Sequence, residues 1–171
     1  MKKLLVALLP IALSTTAAFG LENGNSMVRW NSIVGVITAP GVDNPVGTIH
    51  GGAGPWTAHS GRAGVNLANG YTSFEVDGLV LNGSSSSGTP GAITAVKGTL
   101  VCNSGGTAPT ILDTASVSLN VHGDAHFEGQ ISDLPATCDN PVFLIRIVTP
   151  AGAAGRWIAT GARRFADDEA R

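Results

Sequence analysis

An all-β fold, a single antiparallel β-sandwich with a small closed β-barrel as runner-up, follows from three observations on this 171-residue chain. Past the N-terminal segment there is almost no helical periodicity. Short runs of Val, Ile, Thr and Phe alternate with clusters of Gly, Asn, Ser and Pro, which is the punctuation of strands and turns. Residues 116–131 carry a strict two-residue period, with apolar side chains on one parity and polar ones on the other.

Each element follows in order. Met1-Lys2-Lys3, the apolar run Leu4–Leu13 broken only by Pro10, and the small residues Ser14–Ala18 have the three parts of a secretory signal peptide. Cleavage is expected after Ala18 or Gly20, the second being favoured. The apolar run is about ten residues, short of the ~20 that a membrane-spanning helix needs, and no later segment approaches that length. The reading is therefore a signal peptide at 1–20, one domain at 21–163 and a charged tail at 164–171, with release to the periplasm or the medium. Lys2 and Lys3 are two of the ten basic residues, so removal of 1–20 leaves eight against twelve acids, a formal charge of −4. With no basic cluster, a nucleic-acid partner has no electrostatic footprint.

Residues 28–38 alternate in part, placing Val28, Trp30, Val34 and Val36 on one side of a first strand. Ala63, Val65 and Leu67 share a parity, Asn69-Gly70 suits a type I′ turn, and Thr72, Phe74 and Val76 resume the alternation. The run Ser84–Ser87 has too little apolar surface to order itself and reads as a mobile loop. Asn82-Gly83-Ser84 just before it fits the N-glycosylation pattern, which matters only in a host that modifies asparagine. Ile93–Cys102 is the next strand, with Gly98 marking a bulge. In 116–131, Val117, Leu119, Val121, Gly123, Ala125, Phe127, Gly129 and Ile131 form the core face, and Gly123-Asp124 is expected to divide so long a strand. Phe143–Val148 is apolar on both parities except at Arg146, as a strand covered on both faces requires, and Arg156–Thr160 closes the domain.

Cys102 and Cys138 are the only cysteines, and an even pair in an exported chain reads as a disulfide. No catalytic residues and no cofactor are assigned. His50-Gly51-Gly52-Ala53-Gly54 resembles a glycine-rich oxyanion loop, but the chain has no Gly-x-Ser-x-Gly elbow to serve. His122, Asp124, His126 and Glu128 follow at i, i+2 spacing on the polar parity. An unbroken strand would project all four from one face, about 6–7 Å apart along it. Imidazole and carboxylate suit zinc or copper, so these four are the candidate metal ligands, although a straight row cannot converge on one ion and a solvated face accounts for the same pattern. Glu75 and Asp77 also share a strand face, where paired carboxylates would have to flank a sugar across a cleft to cleave it. Trp56, in a Gly- and Pro-rich loop, and Tyr71, beside the hairpin turn, are the candidate ligand contacts for stacking on a sugar ring. Trp30 and Trp157, in apolar strands, belong to the core.

The segments Gly88-Thr89-Pro90-Gly91, Val96-Lys97-Gly98-Thr99-Leu100-Val101-Cys102, Leu134-Pro135-Ala136-Thr137-Cys138 and Phe143-Leu144-Ile145-Arg146-Ile147 resemble a family of small exported microbial all-β proteins with a paired-cysteine core and no known activity. The likeness runs from about Phe74 to Ala162 and implies a secreted β domain, with no active-site residue to carry over. The lack of assembled catalytic groups on a β-rich frame leads to an exported, non-catalytic binding or surface module, its partner a polysaccharide or a cell-surface component. The alternative is a small secreted metal-binding protein or hydrolase using the His122–Glu128 strand face.

Overall fold

The computed structural model describes residues 26–39 and 42–163. The segments read from the sequence as a signal peptide, 1–20, and as a charged tail, 164–171, lie outside the described residues. Among the described residues twelve strands form: β1 Met27–Trp30, β2 Ser32–Gly35, β3 Trp56–Thr57, β4 Ser60–Asn66, β5 Tyr71–Asp77, β6 Val80–Leu81, β7 Ala95–Cys102, β8 Thr110–Asp113, β9 Val117–Ser118, β10 Ala125–Gln130, β11 Val142–Val148 and β12 Ala154–Ala162. All their pairings are antiparallel. One sheet has the order β1-β4-β5-β10, and the other β2-β12-β11-β7-β8 with β9 also on β7. Trp56–Thr57 and Val80–Leu81 make a separate two-stranded ribbon.

Two runs of chain pass from one sheet to the other. Residues 27–35 leave the four-stranded sheet as β1 and join the six-stranded one as β2, turning at Asn31. Residues 117–130 do the reverse, from β9 to β10 through the turn at Gly123, whose φ is +86°. Each edge of one sheet is thus continuous with an edge of the other, so the sandwich is stitched along both sides.

Between the sheets, Trp30, Phe74, Phe127 and Phe143 form an aromatic cluster, with ring centroids 5.5 Å apart for Trp30–Phe143, 5.6 Å for Phe74–Phe143 and 5.8 Å for Phe74–Phe127. Gly98 serves this cluster: a Cβ there would lie 2.7 Å from Phe143 Cζ and 2.9 Å from the Phe74 ring. The bulge expected at Gly98 does not occur, because β7 and β11 keep register through the Gly98–Ile145 pair. The irregularity falls instead on the facing strand, where Thr99 pairs with Asp113 but Val96 with Val117, and Thr114 donates its N–H to Gly98 O.

The strand covered on both faces is β11, with Phe143, Leu144 and Ile145 fully buried. Arg146, its one charge, donates from Nε to Gly155 O (2.7 Å) and from Nη2 to Ala154 O (2.8 Å), and pairs with Asp113 at 3.2 Å. It sits where β11 and β12 shift register, and thereby satisfies carbonyls that the ladder leaves open.

The parity of 63–76 holds: Ala63, Val65, Thr72, Phe74 and Val76 are buried, and Ala63 pairs with Phe74. The hairpin turn differs from the type I′ expectation. Only Gly70 has positive φ (+76°), and the connection is the four-residue loop 67–70, closed by Gly70 N–H on Asn66 O (2.8 Å). Asn66 and Asn69 side chains accept from the N–H groups of Ala68 and Tyr71, which fixes the loop without a two-residue turn. In the first strand Val34 is exposed and Ile33 buried, because the switch of sheets at Asn31 breaks the alternation. Ser84–Ser87 is exposed but has its own hydrogen-bond frame: Ser87 Oγ accepts from the N–H of Gly83 and of Ser84 and donates to Ser84 O.

Cys102 and Cys138 form a disulfide, with Cα atoms 4.7 Å apart. It fastens the irregular stretch 131–141 to the end of β7, helped by Asn103 N–H on Asp139 O (2.7 Å). No helix among the described residues is long and apolar enough to cross a membrane.

Candidate functional site

The outer face of the β1-β4-β5-β10 sheet is polar because its residues hold the opposite parity to the core. Strand register lines them up in rows. Arg29 lies opposite Gly64, Gly64 opposite Ser73, and Ser73 opposite Glu128. In the next row Arg62 faces Glu75, which faces His126. The long side chains of Arg29 and Glu128 therefore stand at the two ends of a row whose middle positions are a glycine and a serine. The result is a trough of ≈ 350 Å³, with Met27 and Tyr71 toward one end and Arg62, Glu75 and His126 toward the other.

Charge is divided across it. The arginines come from β1 and β4, the carboxylates from β5 and β10. Arg62 Nη2 pairs with Glu75 Oε1 at 3.1 Å. The Tyr71 hydroxyl donates to Glu128 Oε1, and this bond to a carboxylate is the main reason the phenol is held above its ordinary pKa, since ionising it would place two negative charges side by side. Among the described residues, Arg29 makes no ion pair.

The structure divides the row of candidate metal ligands. His126 and Glu128 project from β10 into the trough. His122 and Asp124 belong to the turn before it: the carboxylate of Asp124 accepts from Asn120 Nδ2 (3.0 Å) and from Gly78 N–H (2.9 Å), and Asn120 Oδ1 in turn accepts from the N–H of His122 and Asp124. The hydrogen bond from Asn120, then that from Gly78, lowers the pKa of Asp124. Among the described residues no three His, Cys, Asp or Glu side chains come together in a group that could hold a metal ion. Asp77, on the same strand face as Glu75, pairs with Ser60 and accepts from Ser60 Oγ at 2.6 Å.

Of the two candidate ligand contacts, Tyr71 lines the wall of the trough. Trp56 is not the exposed loop residue expected. It is 6 % accessible, because its N–H donates to Val36 O (2.8 Å) and its pairing with Leu81 folds the loop onto the core. Its indole forms one wall of a second, apolar recess of ≈ 300 Å³ with Ile93, Ile147 and Ile158. In the glycine-rich segment, Gly51 N–H is taken by Asp43 Oδ1 (3.1 Å) and Gly52 N–H by Trp157 O (2.8 Å), so both are spent on the fold. Asp43 also binds His50 Nδ1, the main cause of its lowered pKa.

No protein-family model, curated protein or solved structure matches this chain. The site accordingly rests on its geometry. Arg29, Arg62, Gly64 and Ser73 are the lining residues that sequence reasoning missed. A signal for Arg62 was present, since once Ala63 is paired with Phe74 it must face Glu75.

Proposed function

We propose that this protein is an exported, non-catalytic binding domain that holds a saccharide in the trough of the four-stranded sheet. The observation that carries this reading is the pairing of one aromatic wall, Tyr71, with a ring of hydrogen-bonding side chains around a floor of Gly64 and Ser73. Sugars present apolar C–H faces and dense hydroxyls together, and a half-buried ring flanked by carboxylate, guanidinium, imidazole and hydroxyl groups answers both. Glu75 and Glu128 both rise from the β5/β10 side rather than from opposite walls, and each is already engaged, by Arg62 and Tyr71. That arrangement grips a sugar ring rather than placing an acid and a base on either side of a glycosidic bond. The Cys102–Cys138 disulfide is compatible with the oxidising compartment to which the N-terminal segment would deliver the chain.

The test is calorimetry against a panel of neutral and acidic oligosaccharides, with Tyr71→Ala as the control variant. Binding by the wild type that Tyr71→Ala weakens at least tenfold supports the reading. A panel that gives no heat overturns it, and new reducing ends on incubation with a bound glycan would overturn its non-catalytic part.

A further inference from the structure

Among the described residues seven glycines belong to strands: 35, 61, 64, 98, 129, 155 and 161. At six of them an added Cβ would come within 3.0 Å of another atom, from 2.2 Å at Gly35 to 2.9 Å at Gly155, so that a neighbour would have to shift. Gly64 is the exception. Its nearest neighbours would be Met27 Sδ at 3.5 Å, Val28 O at 3.8 Å and Ser73 Oγ at 3.9 Å, all ordinary contacts. Its φ is not in the left-handed range, and the ladders on both sides of it keep register, so neither a bend nor a bulge requires glycine there. A glycine inside a strand weakens the strand, and where the fold does not need it, the remaining reason is close approach by something else. What faces Gly64 is the trough.

The electrostatics narrow what approaches. Glu75 is neutralised by Arg62, Glu128 accepts from the neutral Tyr71 hydroxyl and keeps its charge, and Arg29 is the cation of the trough that pairs with no carboxylate among the described residues. Three ladder spacings separate the Arg29 and Glu128 backbones, about 14 Å. Building on the reading of the trough as a saccharide site, we propose that its ligand is a carboxylate-bearing saccharide, a uronic-acid chain. A sugar ring lies over Gly64 and Ser73 against Tyr71, its carboxylate is forked by the Arg29 guanidinium, and its hydroxyls reach Glu128 and His126. Guanidinium suits this role because its planar donors match a carboxylate two to two.

The experiment titrates the purified exported chain with oligogalacturonate and with neutral galacto-oligosaccharide of the same length, then repeats both with Arg29→Gln and Gly64→Ala. The expected result is preference for oligogalacturonate. Arg29→Gln should weaken it by about tenfold or more, the loss of a charge-assisted hydrogen-bond pair. Gly64→Ala should weaken it too while melting no lower than wild type, which separates a blocked floor from a damaged fold. Equal affinity for the two sugars, or an Arg29→Gln variant indistinguishable from wild type, would overturn the acidic-ligand proposal and leave the saccharide reading standing. Failure of both sugars, with the wider panel also flat, would remove both.

Discussion

Reducing the Cys102–Cys138 bond should cost this domain a large share of its stability. The two residues are 36 positions apart. Cross-linking a loop of that length removes chain entropy worth about 4 kcal/mol from the unfolded state at 25 °C. The native geometry adds a second reason: residues 131–141 form no strand, and the disulfide attaches them to a half-cystine, Cys102, that is wholly buried at the end of a central strand. Typical domains are stable by only about 5–15 kcal/mol, so the loss is a quarter or more of the total. For a domain of this size it corresponds to a fall in Tm of roughly 10–15 °C. Differential scanning calorimetry of the purified protein with and without reductant, alongside a Cys102→Ala/Cys138→Ala double variant, measures it. If both the reduced protein and the double variant melt within about 3 °C of the oxidised one, the entropic argument fails for this loop.

Gly98→Ala should destabilise by about 1–3 kcal/mol, since its methyl would enter the space of Phe74 and Phe143. Gly64→Ala should instead stabilise by about 0.4–1 kcal/mol, through the unfolded chain, and denaturant melts of the two variants test the opposite signs. Tyr71 is the only tyrosine, so ultraviolet titration reports on it alone: the phenol should ionise above its ordinary range, and Glu128→Gln should bring the midpoint down. An unchanged midpoint would mean that the Tyr71–Glu128 bond does not persist in solution. Asp124 has its pKa lowered in the folded state, so the stability it contributes is present above the ordinary carboxylate pKa and is lost as pH falls through its folded value. Wild type should therefore melt higher than Asp124→Asn at pH 6, with the gap closing as pH drops below about 4.

Where burial alternated along one uninterrupted strand, the sequence was a good guide. The hairpin from Ala63 to Val76 and the two-sided burial of Phe143–Ile145 were both legible, because side-chain parity is fixed by the pleat. Residues 116–131 kept their parity even though the chain changes sheets midway: Leu119, Ala125, Phe127 and Ile131 are buried, while His122, His126 and Glu128 are exposed. Val121, at the turn tip, is the one large apolar residue of that face left in solvent. Residues 27–36 were misread for the same reason that 116–131 were read well. Their passage between sheets occurs at Asn31 without a full turn, so Ile33 rather than Val34 faces inward. Trp56 could not be placed by local composition, because what buries it is a hydrogen bond to Val36 and a pairing with Leu81, twenty and twenty-five positions away.

The trough was hidden from the sequence for a different reason. Its depth comes from differences in side-chain length along a row that crosses four strands, Arg29, Gly64, Ser73 and Glu128, and no stretch of sequence holds more than one of them. Read alone, Gly64 is a weak spot in a strand and Ser73 a routine polar position. Only the register turns them into a floor. The same register takes apart the His122–Glu128 row, since the turn at Gly123 that carries the chain between sheets leaves His122 and Asp124 to hold the bend and delivers His126 and Glu128 to the sheet. The passage between sheets that closes the sandwich on this side therefore also decides which polar residues reach the trough. A substitution that shifted the turn by one residue would reverse the parity of β10, turning Phe127 outward and removing Glu128 from the trough together.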